Sequence, residues 1–168
     1  MYILEVKNVY KKYLNNDYYS LSNANLNIKR GKIIGLIGHN GAGKSTLIKC
    51  IVGINVFKEG DILINGLSIK TKPIRAKNNF AYCGDRENIE GSLTAQNYFD
   101  FIISIYNLDK NEAKKKVIEL SDRFKFSPYL NKKISTYSLG TKQKLSLIKT
   151  FLIGRDLIIL DEPLNGLD

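Results

Sequence analysis

The residues with the most specific chemistry are Gly38 to Thr46, which read G-H-N-G-A-G-K-S-T. Glycines at positions 38 and 43, followed by Lys44 and Ser45, match the phosphate-binding loop pattern. Such a loop holds a polyphosphate by several backbone N–H groups at once, and glycine permits the close curl that this requires. Lys44 would reach the terminal phosphates and the Ser45 hydroxyl would bind Mg²⁺. The motif therefore predicts nucleotide binding.

A second set of reactive residues ends an apolar run near residue 160. Asp156 to Asp161 reads D-L-I-I-L-D, and Glu162 and Pro163 follow directly. In a phosphate-loop protein, an Asp that ends a strand is placed to hold Mg²⁺ through water. The next carboxylate can face the terminal phosphate and take a proton from attacking water. An apolar run before an acid is a weak signal alone, but downstream of a phosphate loop it predicts nucleotide hydrolysis.

Apolar patterning predicts the elements that position these residues. Lys32 to Ile37 is suited to a buried strand and Thr46 to Val52 continues as a helix, which gives the strand, loop and helix order that the motif needs. Asn65-Gly66 predicts an antiparallel hairpin over Asp61 to Lys70. We therefore expect a parallel nucleotide-binding sheet with an antiparallel piece beside it. Further strands are predicted in residues 2–13, 21–28 and 80–83.

Three helices are predicted between the hairpin and the second carboxylate set. Thr94 is placed to cap the first helix, and Asp109 with Glu112 has capping-box spacing at the start of the second. The third helix is predicted over residues 141–152. Each has an apolar stripe by its spacing: Tyr98, Phe101, Ile102 and Ile105 in the first, Val117, Ile118, Leu120 and Phe124 in the second, and Leu145, Ile148 and Leu152 in the third.

Composition places few limits on partners. The chain has 168 residues, 43% of them hydrophobic and 25% charged, which fits one domain or most of one. Its net charge of +10 comes from lysines spread along the chain, so solvated faces explain the charge better than a nucleic-acid partner. Cys50 and Cys83 lie in apolar stretches, which favours buried thiols. No apolar run approaches membrane-spanning length, and the start of the chain is unlike a signal peptide, so we expect a cytosolic chain.

A third motif precedes the second carboxylate set. Tyr137 to Leu145 reads Y-S-L-G-T-K-Q-K-L, which resembles the ABC signature. Together with the two other motifs, this segment makes the sequence similar to the ATP-binding subunit of ABC transporters. A helix cap would account for Ser138 and Gly140 alone, but not for their place in the order of motifs. The resemblance covers the whole chain. It implies a P-loop NTPase (RecA-like) α/β fold, with a mostly parallel sheet core, an antiparallel β subdomain and an α-helical subdomain.

The resemblance also implies domain limits and residue roles. Residues 1–86 and 151–168 would form the nucleotide-binding core with the β subdomain, and residues 87–150 the helical subdomain with the signature. Tyr13 resembles the aromatic residue that stacks on adenine, with Tyr10 as the fallback. Asp161 matches a magnesium ligand and Glu162 the catalytic base. ATP contacts are implied at Gly38, Asn40, Gly41, Ala42, Gly43, Lys44, Ser45 and Thr46, and, for the ATP of a partner subunit, at Ser138 and Gly140.

Three departures from the family pattern bear on activity. Asp85 stands where a glutamine is usual, a shorter acid that would reach magnesium through water. The signature has Leu139 and Thr141 where glycines and glutamine are more usual, and its form Y-S-L-G-x-K-Q resembles antibiotic and peptide export subunits. The sequence stops at Asp168, directly after L-N-G-L-D, which is similar to the D-loop, and the lone histidine lies in the phosphate loop. We therefore expect a truncated domain that binds ATP and Mg²⁺ but turns over poorly.

The family implies partners and a location. A second ABC ATP-binding subunit would pair head to tail with this chain, and a membrane-spanning transporter subunit would hold it at the inner face of the cell membrane. No nucleic acid is expected. The alternatives are a GTPase or small-molecule kinase, a non-transport ABC protein, or a non-catalytic nucleotide-binding fragment. Against the GTPase, residues 131–134 read N-K-K-I and lack the Asp of the guanine-reading N-K-x-D pattern.

Overall fold

A computed structural model describes residues 1–14, 16–84 and 89–166. The chain divides into two compact units, Met1–Phe80 and Ala81–Asp168, and each is described by itself. The first unit contains a four-stranded antiparallel sheet in the order β2-β1-β3-β4. Its elements are β1 (Tyr2–Lys12), β2 (Tyr19–Lys29), α1 (Lys44–Ile51), β3 (Glu59–Ile64), β4 (Leu67–Ser68) and α2 (Pro73–Lys77).

Alternation along the strands explains this sheet. Val6 of β1 pairs with Ile62 of β3, and both side chains are buried, as expected for one apolar sheet face. The predicted hairpin is confirmed: β3 and β4 are antiparallel, and Asn65 and Gly66 have φ of 52° and 75°. Positive φ at both turn residues is the type I′ requirement, which the Asn-Gly pair meets at low cost. The sheet predicted at residues 2–13 and 21–28 is likewise present.

The strand predicted at Lys32 to Ile37 is wrong for this structure. These residues lie outside every strand of the described chain, and Ile33 and Ile37 are 101% and 95% exposed. An apolar run predicts burial, but a strand also needs a neighbour that satisfies its backbone N–H and C=O groups. The strands described in the first unit pair with one another instead. The phosphate loop thus follows a segment that lies outside the described strands.

The second unit is mainly helical. β5 and β6 form a parallel two-stranded sheet, and short 3₁₀ turns precede α5. The predicted mostly parallel sheet core would need more strands than this one parallel pair of the described residues, so that core stays a prediction. The predicted domain limits also stay a prediction. The elements are β5 (Phe80–Cys83), α3 (Ala95–Ile105), α4 (Lys110–Arg123), α5 (Leu139–Ile153) and β6 (Leu157–Leu160).

Helix starts are confirmed more closely than helix faces. Thr94 accepts a hydrogen bond from the Asn97 N–H, and Asp109 accepts from two N–H groups of α4. On α3, however, Phe99 is buried and Phe101 is 53% exposed, opposite to the predicted stripe. α3 has apolar side chains around most of its own circumference, so contacts with other elements decide which face is buried. On α4, the small residues Ala113 and Ser121 flank Val117 on the buried face, whereas Ile118 is exposed.

Candidate functional site

The phosphate loop has the backbone that its glycines predict. Gly41 and Gly43 both have φ of 86°, and Gly43 is the N-cap of α1. A Cβ added to Gly43 would lie 2.5 Å from the Ser20 carbonyl oxygen, so the loop also approaches β2 closely here. Positive φ and this close approach together require glycine at position 43. The loop residues Asn40, Gly41 and Ala42 are exposed, as access by a ligand requires.

Lys44 lies against its own loop. Its ammonium donates hydrogen bonds to the carbonyl oxygens of Gly38 at 2.7 Å and His39 at 2.9 Å. Ser45 and Thr46 follow in the first turn of α1, where unpaired backbone N–H groups and the helix dipole favour an anion. That first turn contains no acidic residue that would repel one. The positions of these groups fit the binding of a polyphosphate.

Tyr13 is adjacent to this loop. Its half-buried side chain follows β1, and its hydroxyl lies 3.4 Å from the Thr46 hydroxyl. The ring also borders a cavity of about 590 Å³ in the first unit, which is lined by aromatic and lysine side chains. Tyr10, the fallback, lies within β1 and packs edge to face on Tyr19 with ring centroids 5.8 Å apart. The structure thus brings Tyr13, and not Tyr10, to the helix that carries the phosphate loop.

In the second unit, the two carboxylates at the end of β6 differ in exposure. Asp161 is only 6% exposed, and its backbone N–H donates to the Cys83 carbonyl at 2.9 Å. Glu162 is exposed and has φ of 49°, a left-handed conformation that is uncommon for a residue with a Cβ. The Asn165 side-chain amide donates to the Glu162 carboxylate at 2.5 Å. This turn therefore sets the direction of the Glu162 side chain.

The signature segment starts α5. The Ser138 hydroxyl accepts a hydrogen bond from the Thr141 N–H at 3.2 Å, so this serine is a helix cap in the isolated chain. The helix begins two residues before the predicted residue 141. A Cβ added to Gly166 would lie 3.4 Å from the Gly140 nitrogen. The signature glycine and the D-loop turn are therefore neighbours within this unit.

Sequence reasoning missed one buried polar residue here. Gln143, which is 8% exposed, donates to the Pro163 carbonyl at 3.3 Å and to the Cys83 sulfur at 3.7 Å. It links α5 to the last residue of β5 and to the turn that follows β6 and Asp161. Gln143 gave no distinct signal in the sequence, because glutamine is common on exposed helix faces. Its burial is visible only in the structure.

Tyr137, the first residue of the signature segment, is held by hydrogen bonds to the chain that precedes it. Its hydroxyl lies 2.6 Å from the Tyr129 carbonyl oxygen and 3.0 Å from the Lys132 carbonyl oxygen, so its single proton is shared between these two acceptors. Burial raises the pKa of Tyr137 above its ordinary 10.0. The hydroxyl is therefore a proton donor under ordinary conditions. It fixes the turn before Ser138.

Some predicted residues fall outside the described structure. Asp85, predicted as a magnesium and catalytic residue, belongs to residues 85–88, which are not described. The last two residues of the D-loop-like segment, 167 and 168, are also outside. The roles assigned to Lys44, Ser45, Asp161 and Glu162 remain predictions.

The loop between Gly38 and Lys44 at the start of α1, with a buried aspartate ending a strand, defines the class as a P-loop NTPase of α/β fold. Residues 21–165 match the family described as ABC transporter. The putative ABC transporter ATP-binding protein AlbC of Bacillus subtilis (strain 168) is 35% identical over 100% of this chain and 71% of its own length. The chain therefore belongs to the ABC transporter family.

Other similarities agree with this membership. The probable multidrug ABC transporter ATP-binding protein YbhF of Escherichia coli (strain K12) is 31% identical over 99% of this chain and 28% of its own length. A solved ATP-binding subunit of an ABC transporter superposes with a TM-score of 0.90 at 32% identity, covering 99% of this chain and 68% of that one. The chain thus spans between 28% and 71% of the length of the two curated relatives. Family members are generally ATPases.

Proposed function

We propose that this chain binds ATP with Mg²⁺ and supplies ATP hydrolysis to an ABC transporter. The observation that carries the proposal is the Lys44 ammonium over the carbonyls of its loop, 2.7 and 2.9 Å away, at the start of α1. A triphosphate offers this ammonium stronger, anionic acceptors in place of two carbonyls. Tyr13, adjacent to Thr46, would stack on the adenine base.

The oxygen donors of each unit suit magnesium. Ser45 of the first unit would offer a hydroxyl and Asp161 of the second unit a carboxylate, and both are hard oxygen ligands. Within residues 1–14, 16–84 and 89–166 there is no group of three or more His, Cys, Asp or Glu side chains that could hold a metal. Mg²⁺ in nucleotide sites needs only one or two protein ligands, since water and phosphate oxygens complete its shell. When bound, the ion would neutralise charge on the phosphates.

Glu162 would accept a proton from the attacking water. In the isolated chain its carboxylate is hydrogen bonded to Asn165, and Ser138 is occupied as a helix cap. In the dimer that the family implies, Ser138 and Gly140 would serve the ATP of a second ABC ATP-binding subunit in head-to-tail arrangement. A lone chain would therefore bind ATP and turn it over poorly.

The transport role is supported by the names of related proteins. YbhF is described as a probable multidrug ABC transporter protein, and the solved cbiO1 of Clostridium perfringens, 27% identical with a TM-score of 0.80, as part of the ABC transporter complex cbiONQ. The described part of this chain contains no helix that could cross a membrane. We propose an exporter-type subunit that reaches the inner face of the membrane through a separate membrane-spanning subunit.

Calorimetric titration tests the nucleotide site. We expect ATP with Mg²⁺ to bind, GTP to bind more weakly, and Lys44→Ala to abolish binding. Lys49→Ala is the matched control, because Lys49 lies on the exposed side of the last turn of the same helix. No ATP binding to a chain that is folded by circular dichroism would refute the proposal, and so would equal losses in both variants.

A phosphate-release assay tests the proposed turnover. The lone chain should hydrolyse ATP barely above background, and Glu162→Gln should leave ATP binding intact while removing any residual rate. A high rate that depends on Glu162 in the monomeric chain would contradict the need for a second subunit.

A further inference from the structure

Tyr13 is fixed by a residue that no sequence motif includes. The Asn55 side-chain amide donates a hydrogen bond to the Tyr13 hydroxyl at 2.8 Å, and both side chains are half-buried. The same hydroxyl lies 3.4 Å from the Thr46 hydroxyl. A phenol can accept one hydrogen bond and donate another, so both contacts can exist together.

Both contacts of the Tyr13 hydroxyl connect it to α1. Thr46 is in the first turn of α1, and the backbone N–H of Asn55 donates to the Lys49 carbonyl at 2.9 Å, directly after the helix. Asn55 is therefore attached to the same helix that begins at the end of the phosphate loop. Through Asn55 and Thr46, the position of the Tyr13 ring is set relative to α1.

Lys11 restricts the ring from a third direction. Its ammonium lies 4.9 Å from the Tyr13 ring centroid, as in a cation–π contact, and donates to the Val56 carbonyl at 2.7 Å. The ammonium covers one face of the ring, so the opposite face is the one on which a flat ligand would stack. Two side-chain hydrogen bonds thus join segments 11–13 and 55–56: Lys11 donates to Val56, and Asn55 donates to Tyr13.

We propose that Asn55 is a positioning residue for base recognition: it holds the Tyr13 ring in register with the phosphate loop so that a nucleotide bound there stacks its base on that ring. The inference rests on the proposed function, because it requires that Tyr13 receives the base. A ring that is already ordered loses less conformational entropy when a base stacks on it. Asn55 should then add to affinity only for ligands that carry a base.

The test compares ATP with tripolyphosphate, which has the phosphates and no base, both with Mg²⁺. Asn55→Ala should weaken ATP binding about three- to tenfold, the range expected for the loss of one hydrogen bond, and leave tripolyphosphate binding unchanged. Asn27→Ala, an exposed asparagine on β2, is the control and should change neither. Urea unfolding of each variant checks that the fold is intact.

Tyr13→Phe tests the same bond from the other side. It keeps the ring and removes the hydroxyl, so it should weaken ATP binding to a similar degree. Adding Asn55→Ala to Tyr13→Phe should then cost nothing further, because the shared contact is already gone.

The outcomes separate this inference from the function on which it rests. If the unchanged chain binds neither ATP nor tripolyphosphate, the proposed function fails. If it binds ATP but Asn55→Ala weakens ATP and tripolyphosphate equally, or changes neither, the positioning role is overturned and the nucleotide site stands. Additive losses in the double variant would also overturn it.

Discussion

Gly43 is the position where the structure makes the sharpest quantitative prediction. It has φ of 86°, and an added Cβ would lie 2.5 Å from the Ser20 carbonyl oxygen and 3.1 Å from the Leu21 side chain. Replacement by alanine therefore meets two separate costs. A left-handed conformation costs an alanine about 1–2 kcal/mol, and an overpacked contact adds about 1–3 kcal/mol.

Gly41 separates the two costs. It has the same φ of 86°, but nothing lies within 4 Å of an added Cβ. Gly41→Ala should therefore lower the free energy of unfolding by about 1–2 kcal/mol, and Gly43→Ala by about 2–5 kcal/mol. Gly31 has φ of 70° and nothing within 4 Å of an added Cβ, so Gly31→Ala is a control for the conformational cost at a position outside the phosphate loop.

Urea unfolding followed by far-UV circular dichroism measures these differences, with ATP titration of each folded variant alongside. Since the Ser20 carbonyl belongs to β2, the added strain in Gly43→Ala should also move the start of α1 and weaken ATP binding. Equal destabilisation by Gly41→Ala and Gly43→Ala would refute the close approach to β2. A Gly43→Ala chain as stable as the unchanged one would refute the left-handed conformation too.

Two further predictions concern the second unit. Asp109→Ala should lower the free energy of unfolding by about 1 kcal/mol, because its carboxylate caps two N–H groups of α4, and Asp109→Asn should restore the cap; equal urea midpoints for Ala and Asn would contradict this. Burial raises the pKa of Tyr137 in the folded chain, so as pH rises above about 10 the unfolded chain releases this proton before the folded chain does. The contribution of Tyr137 to the free energy of unfolding should therefore be fully present below about pH 10 and be lost as pH rises further. Urea midpoints between about pH 9 and about pH 11 should fall more steeply for the unchanged chain than for Tyr137→Phe, and parallel slopes would contradict the burial of Tyr137.

Local signals in the sequence were sufficient to predict the structure wherever neighbouring residues determine the backbone conformation. The Asn65-Gly66 turn, the Thr94 and Asp109 caps and the glycine-rich loop are confirmed, because each depends on φ preferences or on a side chain that reaches N–H groups within four residues. The order of the motifs was also sufficient to identify the family, which the comparison with known proteins confirms.

Contacts between distant segments were beyond the sequence. The buried faces of α3 and α4 depend on which neighbour each helix meets, and the apolar segment 32–37 depends on strand partners that periodicity cannot name.

The candidate site shows the same division. The sequence by itself determined which residues are the candidates for phosphate, magnesium and proton-transfer chemistry, namely Lys44, Ser45, Asp161 and Glu162, since residue type and spacing are what the motifs specify. Only the tertiary structure decided that Tyr13 rather than Tyr10 lies beside Thr46, and that Asn55 and Gln143 hold other residues in place. Those contacts join residues 20 to 60 positions apart, where side-chain direction follows from packing and no local pattern records it.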